Sequence, residues 1–190
     1  FTCFISFPVM FGLSLVAPEF IVILIKEKWL SSAQLMQYLC IGGAFLPIAT
    51  LYFNLIISRG KSDIYMWNII AQGCVILCSI LIVHAAGGTI THMVITYVGI
   101  VILWIGIWHI FLYQEIRYSF LSALKDMLPF MLIAATTMTI TYFATRRIEN
   151  LMLLLISRII IAALIYTGTL WLFGAKILKE CIGYLLKKKL

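Results

Sequence analysis

The sequence predicts an all-α, polytopic membrane bundle of six transmembrane helices, and three observations carry that reading. The apolar share is 64% and the mean hydropathy is +1.11. Only 11% of the 190 residues are charged, where a soluble domain has about a quarter. The charges that do occur punctuate apolar runs long enough to cross a bilayer. A transmembrane strand would need only about ten residues and would alternate polar with apolar, and no such alternation occurs. Soluble globular, disordered, collagen-like and coiled-coil classes are excluded on the same grounds.

A charge at the bilayer centre costs roughly 3 kcal/mol on insertion scales, so charge-free intervals mark the spans. The first span covers residues 1–25, where only Glu19 interrupts the apolar run and Pro8 and Pro18 bracket Gly12. Residues 29–58 hold 30 positions without a charge, long for one straight helix. Gly42-Gly43 ahead of Pro47 marks the place for a kink, and the second span is set at 31–58. Residues 64–114 hold 51 positions without a charge, too many for one helix. Ala86-Gly87-Gly88-Thr89 is the strong breaker near the middle, so a tight hairpin joins spans 63–85 and 89–113. Spans 127–145 and 150–173 complete the six, the last interrupted by Arg158. The expected N-terminal caps are Ser31 with Gln34 as a capping box, Ser62 or Asp63, Thr89, Asp126 ahead of Pro129, and Asn150. Residues 118–125 are expected as a short amphipathic interfacial helix. Residues 174–190 are expected as a longer, basic one on the anionic cytoplasmic leaflet.

Six spans put alternate loops on opposite sides. Lys26, Lys28, Arg146 and Arg147 fall on one side; Arg59, Lys61, Arg117, Lys125 and the five lysines of residues 174–190 fall on the other. The positive-inside rule makes the second side cytoplasmic, with the C-terminus inside. Trp29 and Tyr142 are then outer interfacial anchors, and Trp67, Trp108, Tyr113 and Trp171 inner ones. The net charge of +7 therefore reports topology and contact with anionic lipids, not a nucleic-acid partner. Phe1 lies inside an apolar run with neither a Met nor a basic flank, the pattern expected of a fragment whose N-terminal part is missing.

Catalysis calls for paired carboxylates, a metal cluster or a nucleophile with its base, and no such spacing occurs. Cys3, Cys40, Cys74, Cys78 and Cys181 form no CxxC pair and are expected as buried free thiols. No metal, cofactor or enzymatic activity is expected. His84 and His92 flank the hairpin turn, and His109 is a packing residue rather than a proton relay. What remains suits a transporter. Pro8, Gly12, Pro18 and Pro47 are candidate hinges, because proline bends a helix and frees a carbonyl; static packing is the alternative. Asn68, Gln72 and Ser79 share a helix face and either line a wet cavity or bond across a helix interface. Thr137 and Thr141 are expected as small packing residues. Arg158 is the sharpest signal, since about eight residues from the span's end at 1.5 Å each puts it roughly 12 Å deep. Such a cation either faces a cavity or partner, or snorkels to the headgroups. Its guanidinium suits a diphosphate gripped bidentately. Glu19 is a candidate as its partner, as an ion-coupling acid, or as an interfacial residue.

Residues 7–29, FPVMFGLSLVAPEFIVILIKEKW, resemble the first helix of the C-terminal lobe in bacterial polysaccharide-repeat-unit flippases. These are the O-antigen and capsule transporters of the multidrug/oligosaccharidyl-lipid/polysaccharide exporter superfamily. SRGKSD at 58–63 and LKDMLPF at 124–130 are similar to that family's loop after the next helix and its approach to later helices. The family's first segment ends in Gly-Glu-Lys-Trp; Lys26 stands at the glycine, which implies a differently built turn. The resemblance implies one six-helix lobe of a two-lobe exporter in the bacterial cytoplasmic (inner) membrane, completed by an N-terminal lobe. Its substrate would be a lipid-diphosphate-linked oligosaccharide for surface polysaccharide, with other polysaccharide-assembly membrane proteins as partners. It also implies rocking between inward-open and outward-open states, with bending at Pro8, Gly12 and Pro18. Arg158 would be a cavity cation, and Arg59 and Lys61 either inner-mouth contacts for the diphosphate or simple topology anchors. The alternatives are a multidrug or metabolite antiporter of the same fold, whose smaller cavity would be acidic, and a membrane-embedded glycan polymerase or ligase, which would need a large outer loop.

Overall fold

A computed structural model describes residues 2–117 and 119–172. The described chain forms α1 (Thr2–Ile25), α2 (Leu30–Gly43), α3 (Leu46–Ser58), α4 (Ser62–Ala85), α5 (Ile90–Ile116), α6 (Phe120–Thr145) and α7 (Leu151–Leu172), with a 3-10 turn at Glu27–Trp29. Because α2 and α3 are halves of one span, six elements are long and apolar enough to cross a membrane. This is a multi-pass membrane protein. Leu103 and Leu172 are more than three-quarters exposed, and large apolar side chains cover every helix, a surface that only hydrocarbon accommodates. The basic helix expected over residues 174–190, with Cys181, lies outside the described residues.

Two turns follow directly from glycine. After α3, Gly60 takes φ 77° and the amides of Gly60 and Lys61 bond back to the carbonyls of Ile57 and Ile56. After α4, Gly87 takes φ 75° and the amides of Gly87 and Gly88 bond to His84 and Val83. Both are Schellman closures, in which a left-handed residue lets two orphan carbonyls be satisfied at a helix end. The end of the bundle that holds Gly60 and the end that holds Gly87 serve as its two poles below.

Thr89 caps α5 in a reciprocal box with His92, and Asn150 Oδ1 accepts the amides of Met152 and Leu153 at 3.0 and 3.3 Å. Three expected caps fall elsewhere. Ser31 lies inside α2, whose N-cap is Trp29, because the 3-10 turn runs straight into the helix. Ser62 and Asp63 lie inside α4, which Lys61 precedes, because the Schellman turn delivers the chain already poised to coil. Asp126 is well inside α6, which starts at Phe120 after Ser119 and absorbs Pro129 in its interior. The segment from 120 to 125 is thus the first part of that helix and not a separate interfacial element.

Lys26 ends α1 with φ 79° and ψ 165°, a backbone conformation that only glycine adopts without strain. The turn thus has a glycine-type geometry with a lysine in it.

α1 is the hub, packing against α2, α3, α6 and α7. Between apolar helices in lipid there is little hydrophobic drive, so close approach and hydrogen bonds decide the arrangement. Gly42 and Gly43 supply the approach: a Cβ on Gly42 would lie 3.2 Å from Val98 of α5, and one on Gly43 3.5 Å from Met10 of α1. The bonds come from helix irregularities. Proline lacks the N–H that the carbonyl four residues earlier would accept. Pro8 so deprives Phe4, and the Phe4 carbonyl accepts Tyr166 Oη of α7 at 2.9 Å. Pro18 deprives Ser14, and the Ser14 carbonyl accepts Gln37 Nε2 of α2 at 3.2 Å while Ser14 Oγ donates to the Gln37 carbonyl. At the α2–α3 break, the Ile48 amide turns to Phe45, and the Ala44 carbonyl accepts Ser6 Oγ of α1 at 2.7 Å. α1 therefore runs unbroken through both prolines, whereas Pro47 sits in the first turn of α3 just beyond the break.

Toward the Gly60 pole the bundle closes on an aromatic core of Phe7, Tyr52, Trp104, Trp108, Tyr166 and their aliphatic neighbours. Trp108, expected as an interfacial anchor, is 2% exposed inside that core, whereas Trp29, Trp67, Tyr113 and Trp171 are exposed as anchors are. His109 is buried against Tyr52 and Phe120. Cys40 is buried, but Cys74 and Cys78 are exposed rather than buried, because α4 packs at the edge against α3 and α5.

Two substitutions test this account in the purified full-length protein. Lys26→Gly relieves a strained backbone worth about 1–3 kcal/mol against a glycine entropy penalty of about 0.5–1 kcal/mol, so thermal unfolding in detergent moves upward. Tyr166→Phe removes only the bond to the Phe4 carbonyl and lowers stability by about 0.6 kcal/mol, at most about 1.7 kcal/mol, on the same measurement.

Candidate functional site

The last turns of α1 and α6 and the second turn of α7 meet toward the Gly87 pole, and there the bundle buries its ion pair. Arg158 Nη1 donates to Glu19 Oε1 at 2.6 Å and to the Leu15 carbonyl at 3.0 Å, and Nε donates to Thr145 Oγ1 at 3.3 Å. Leu15 and Glu19 stand four residues apart, so one helix face presents both acceptors. Arg158 and Glu19 are 6% and 8% exposed. The Arg158 guanidinium also lies over the Tyr142 ring, its Cζ 5.6 Å from the centroid. A cation–π contact of this kind contributes about 0.5–2 kcal/mol.

The side chain therefore does not snorkel. It turns sideways into α1 and α6, and Glu19 serves as its partner. On the pair itself, Arg158 Nη2 makes no hydrogen bond with the described residues, and Glu19 Oε2 is buried without one. A guanidinium with one nitrogen free inside a membrane bundle can still take an anionic oxygen.

Two clefts flank α1 at this level. On the α7 side a slot of about 450 Å³ runs from Arg158 to Tyr166, walled by Val9, Gly12, Leu13, Ile159 and Ala163. On the α2 side an open cleft of about 420 Å³ is lined by Ser14 and Gln37, with Phe11, Ile41, Thr139 and Tyr142 around them. Leu15 and Met138 line both, so one apolar and one mixed cleft share a wall beneath the ion pair. Gly12 is part of this packing: a Cβ there would touch Met138 Cε at 3.4 Å.

The other sequence candidates lie away from this place. Asn68 Oδ1 accepts Trp104 Nε1 at 2.6 Å, a bond across the α4–α5 interface, in a groove with Trp67 and Phe111. Gln72 is half-buried near Thr50 and Trp108. Arg59 is exposed at the Gly60 turn, and Lys61 forms an ion pair with Glu115 at the end of α5. Thr137 and Thr141 are buried as packing residues, Thr141 Oγ1 donating to the Thr137 carbonyl. Sequence reasoning missed Thr145, Tyr142 as a cation partner, and Gln37. Gln37 could have been found from Pro18, which announces a free carbonyl at Ser14 and thus a donor on a neighbouring helix. Among the described residues no three His, Cys, Asp or Glu side chains cluster to hold a metal ion.

No family model matches the chain, and no solved structure matches it. A protein of Klebsiella pneumoniae described as an uncharacterized membrane protein in the cps region is 33% identical over 61 residues. That stretch is 32% of this chain and 13% of the Klebsiella protein, so the match spans a small part of that relative's length.

Removing one member of a buried ion pair strands the other and costs about 3–5 kcal/mol, whereas replacing both with apolar groups is close to neutral. Glu19→Leu and Arg158→Met should each lower the unfolding temperature sharply in the full-length protein, and the double variant should recover most of the loss. Additive losses in the double variant would show that the two side chains are not coupled.

Proposed function

We propose that this chain is one lobe of a two-lobe transporter that flips lipid-diphosphate-linked oligosaccharide units across a bacterial cytoplasmic membrane for surface polysaccharide. The observation that carries the reading is Arg158, a buried cation with one nitrogen free that lines an apolar slot, with a second cleft bearing Ser14, Gln37 and Thr139 on the other side of Leu15 and Met138. A substrate with a hydrocarbon chain, an anionic junction and a sugar head has the same order of chemistries. Support also comes from the resemblance of residues 7–29 to the flippases, and from the local likeness to a membrane protein of a cps region, which is a capsule locus.

In this reading the Gly87 pole is extracytoplasmic and the Gly60 pole, with Arg59, Lys61 and Lys125, is cytoplasmic, as the positive-inside rule requires. Arg158 holds diphosphate by exchanging part of its contact with Glu19, and the ion pair re-forms when the substrate leaves, so the cation is never left bare in hydrocarbon. The protein carries out movement and no covalent chemistry.

Deleting the full-length gene should abolish surface polysaccharide, and the native gene should restore it. Arg158→Ala should not restore it, and Arg158→Lys only in part, since a lysine lacks the planar fork. Full restoration by Arg158→Ala at native expression would remove the cavity role. A periplasm-dependent reporter fused at Gly88 should be active; a cytoplasmic signal there reverses the orientation.

A further inference from the structure

We propose that the groove between α4 and α5 at the Gly60 pole holds a phospholipid whose headgroup carries a primary ammonium, with Asp63 as the acceptor. The inference is independent of the transporter reading.

The groove, about 470 Å³, is lined by Asp63, Trp67 and Asn68 of α4 and by Trp104 and Phe111 of α5. Asp63 and Trp67 are one helical turn apart, so a carboxylate and an indole stand on the same side of α4. Asp63 belongs to no ion pair among the described residues, because the nearby Lys61 is taken by Glu115. A carboxylate in the first turn already suits a helix N-terminus, which accounts for Asp63 but not for the aromatic walls and the amide beside it. Farther along α4, Asn68 is 6% exposed. Its Oδ1 accepts Trp104 Nε1 at 2.6 Å, and its Nδ2 makes no hydrogen bond with the described residues. An anionic acceptor, a ring face and a buried donor therefore line one groove.

Charge complementarity names the occupant. The charged side chain in the lining is an acid, so the group that meets it is a cation, which an indole face also favours. Met66, Trp67, Ile69 and Ile70 are exposed along α4, a surface for hydrocarbon, so the cation arrives on a lipid. Asp63 and Asn68 are five residues apart, about 7.5 Å along the helix. That is comparable with the reach of a phospholipid from its ammonium through the phosphate to an ester carbonyl, which can accept from Asn68 Nδ2. A choline headgroup has no N–H for the carboxylate to accept, and phosphatidylglycerol brings an anion to an acid.

The test titrates the delipidated full-length protein in detergent with phosphatidylethanolamine, phosphatidylcholine and phosphatidylglycerol of identical chains, and reads bound lipid by native mass spectrometry. Phosphatidylethanolamine should bind about tenfold more tightly than either of the others, the scale of one charge-assisted hydrogen bond. Asp63→Asn keeps the side-chain shape and should erase that preference. Glu149→Gln, which alters an exposed acid in the loop before α7, should leave it intact. Equal binding of phosphatidylethanolamine and phosphatidylcholine to the native protein overturns the proposal, and this comparison needs no variant. An undiminished preference in Asp63→Asn overturns it as well, and so does tighter binding of phosphatidylglycerol, which would make the pole a site for anionic lipids. Chain-free phosphoethanolamine should not compete; competition at equal concentration would show that the ligand is a soluble amine and not a lipid.

Discussion

A backbone carbonyl released inside hydrocarbon has no water to turn to, and the architecture follows from where the released carbonyls find donors. Phe4, Ser14 and Ala44 lose their ordinary helical partners to prolines or to the break in the second span, and Tyr166, Gln37 and Ser6 replace them. Each replacement crosses from one helix to another. The bends that weaken α1 and α2–α3 as isolated helices are thereby what fastens them together. Apolar packing alone would leave their register loosely set, because lipid chains solvate a leucine as well as a neighbouring helix does.

The two poles differ in how they are held. Toward the Gly60 pole, aromatic rings fill the space among α1, α3, α5 and α7, and the ends of α4 and α5 are joined by the Lys61–Glu115 pair. Toward the Gly87 pole α1 packs closely on α2 through apolar side chains, and Arg158 adds a polar tie among three helices at one point. A dense core resists sliding, since any displacement opens voids, whereas hydrogen-bonded contacts can be exchanged for others of equal kind. The fold thus has an aromatic base and, nearer the Gly87 pole, a polar tie at Arg158.

The spans were legible because charge is too costly in lipid to be scattered at random, and the Gly87 hairpin because glycine closes a helix this tightly at the least cost. The helix starts at α2, α4 and α6 were less so. There a preceding turn, not a capping side chain, hands the chain over, and a turn of that kind has no signature in a single residue. Arg158 and Glu19 stood out singly, and their pairing was one of three readings open for Glu19, because distance in sequence does not say which side chains meet. Trp108 was misplaced for a related reason: a tryptophan near a span's end suits a headgroup interface and an interhelical core equally, and only the neighbours Phe53 and Tyr65 decide. Gln37 looked like an ordinary polar residue until the proline it compensates was taken into account.

Glu19 directly follows Pro18, the residue at which α1 can change curvature most cheaply. The carboxylate consequently sits beside the point of bending itself. Flexure there re-aims the carboxylate at Arg158, so the mechanical shape of this helix and the electrical neutrality of the bundle interior are coupled.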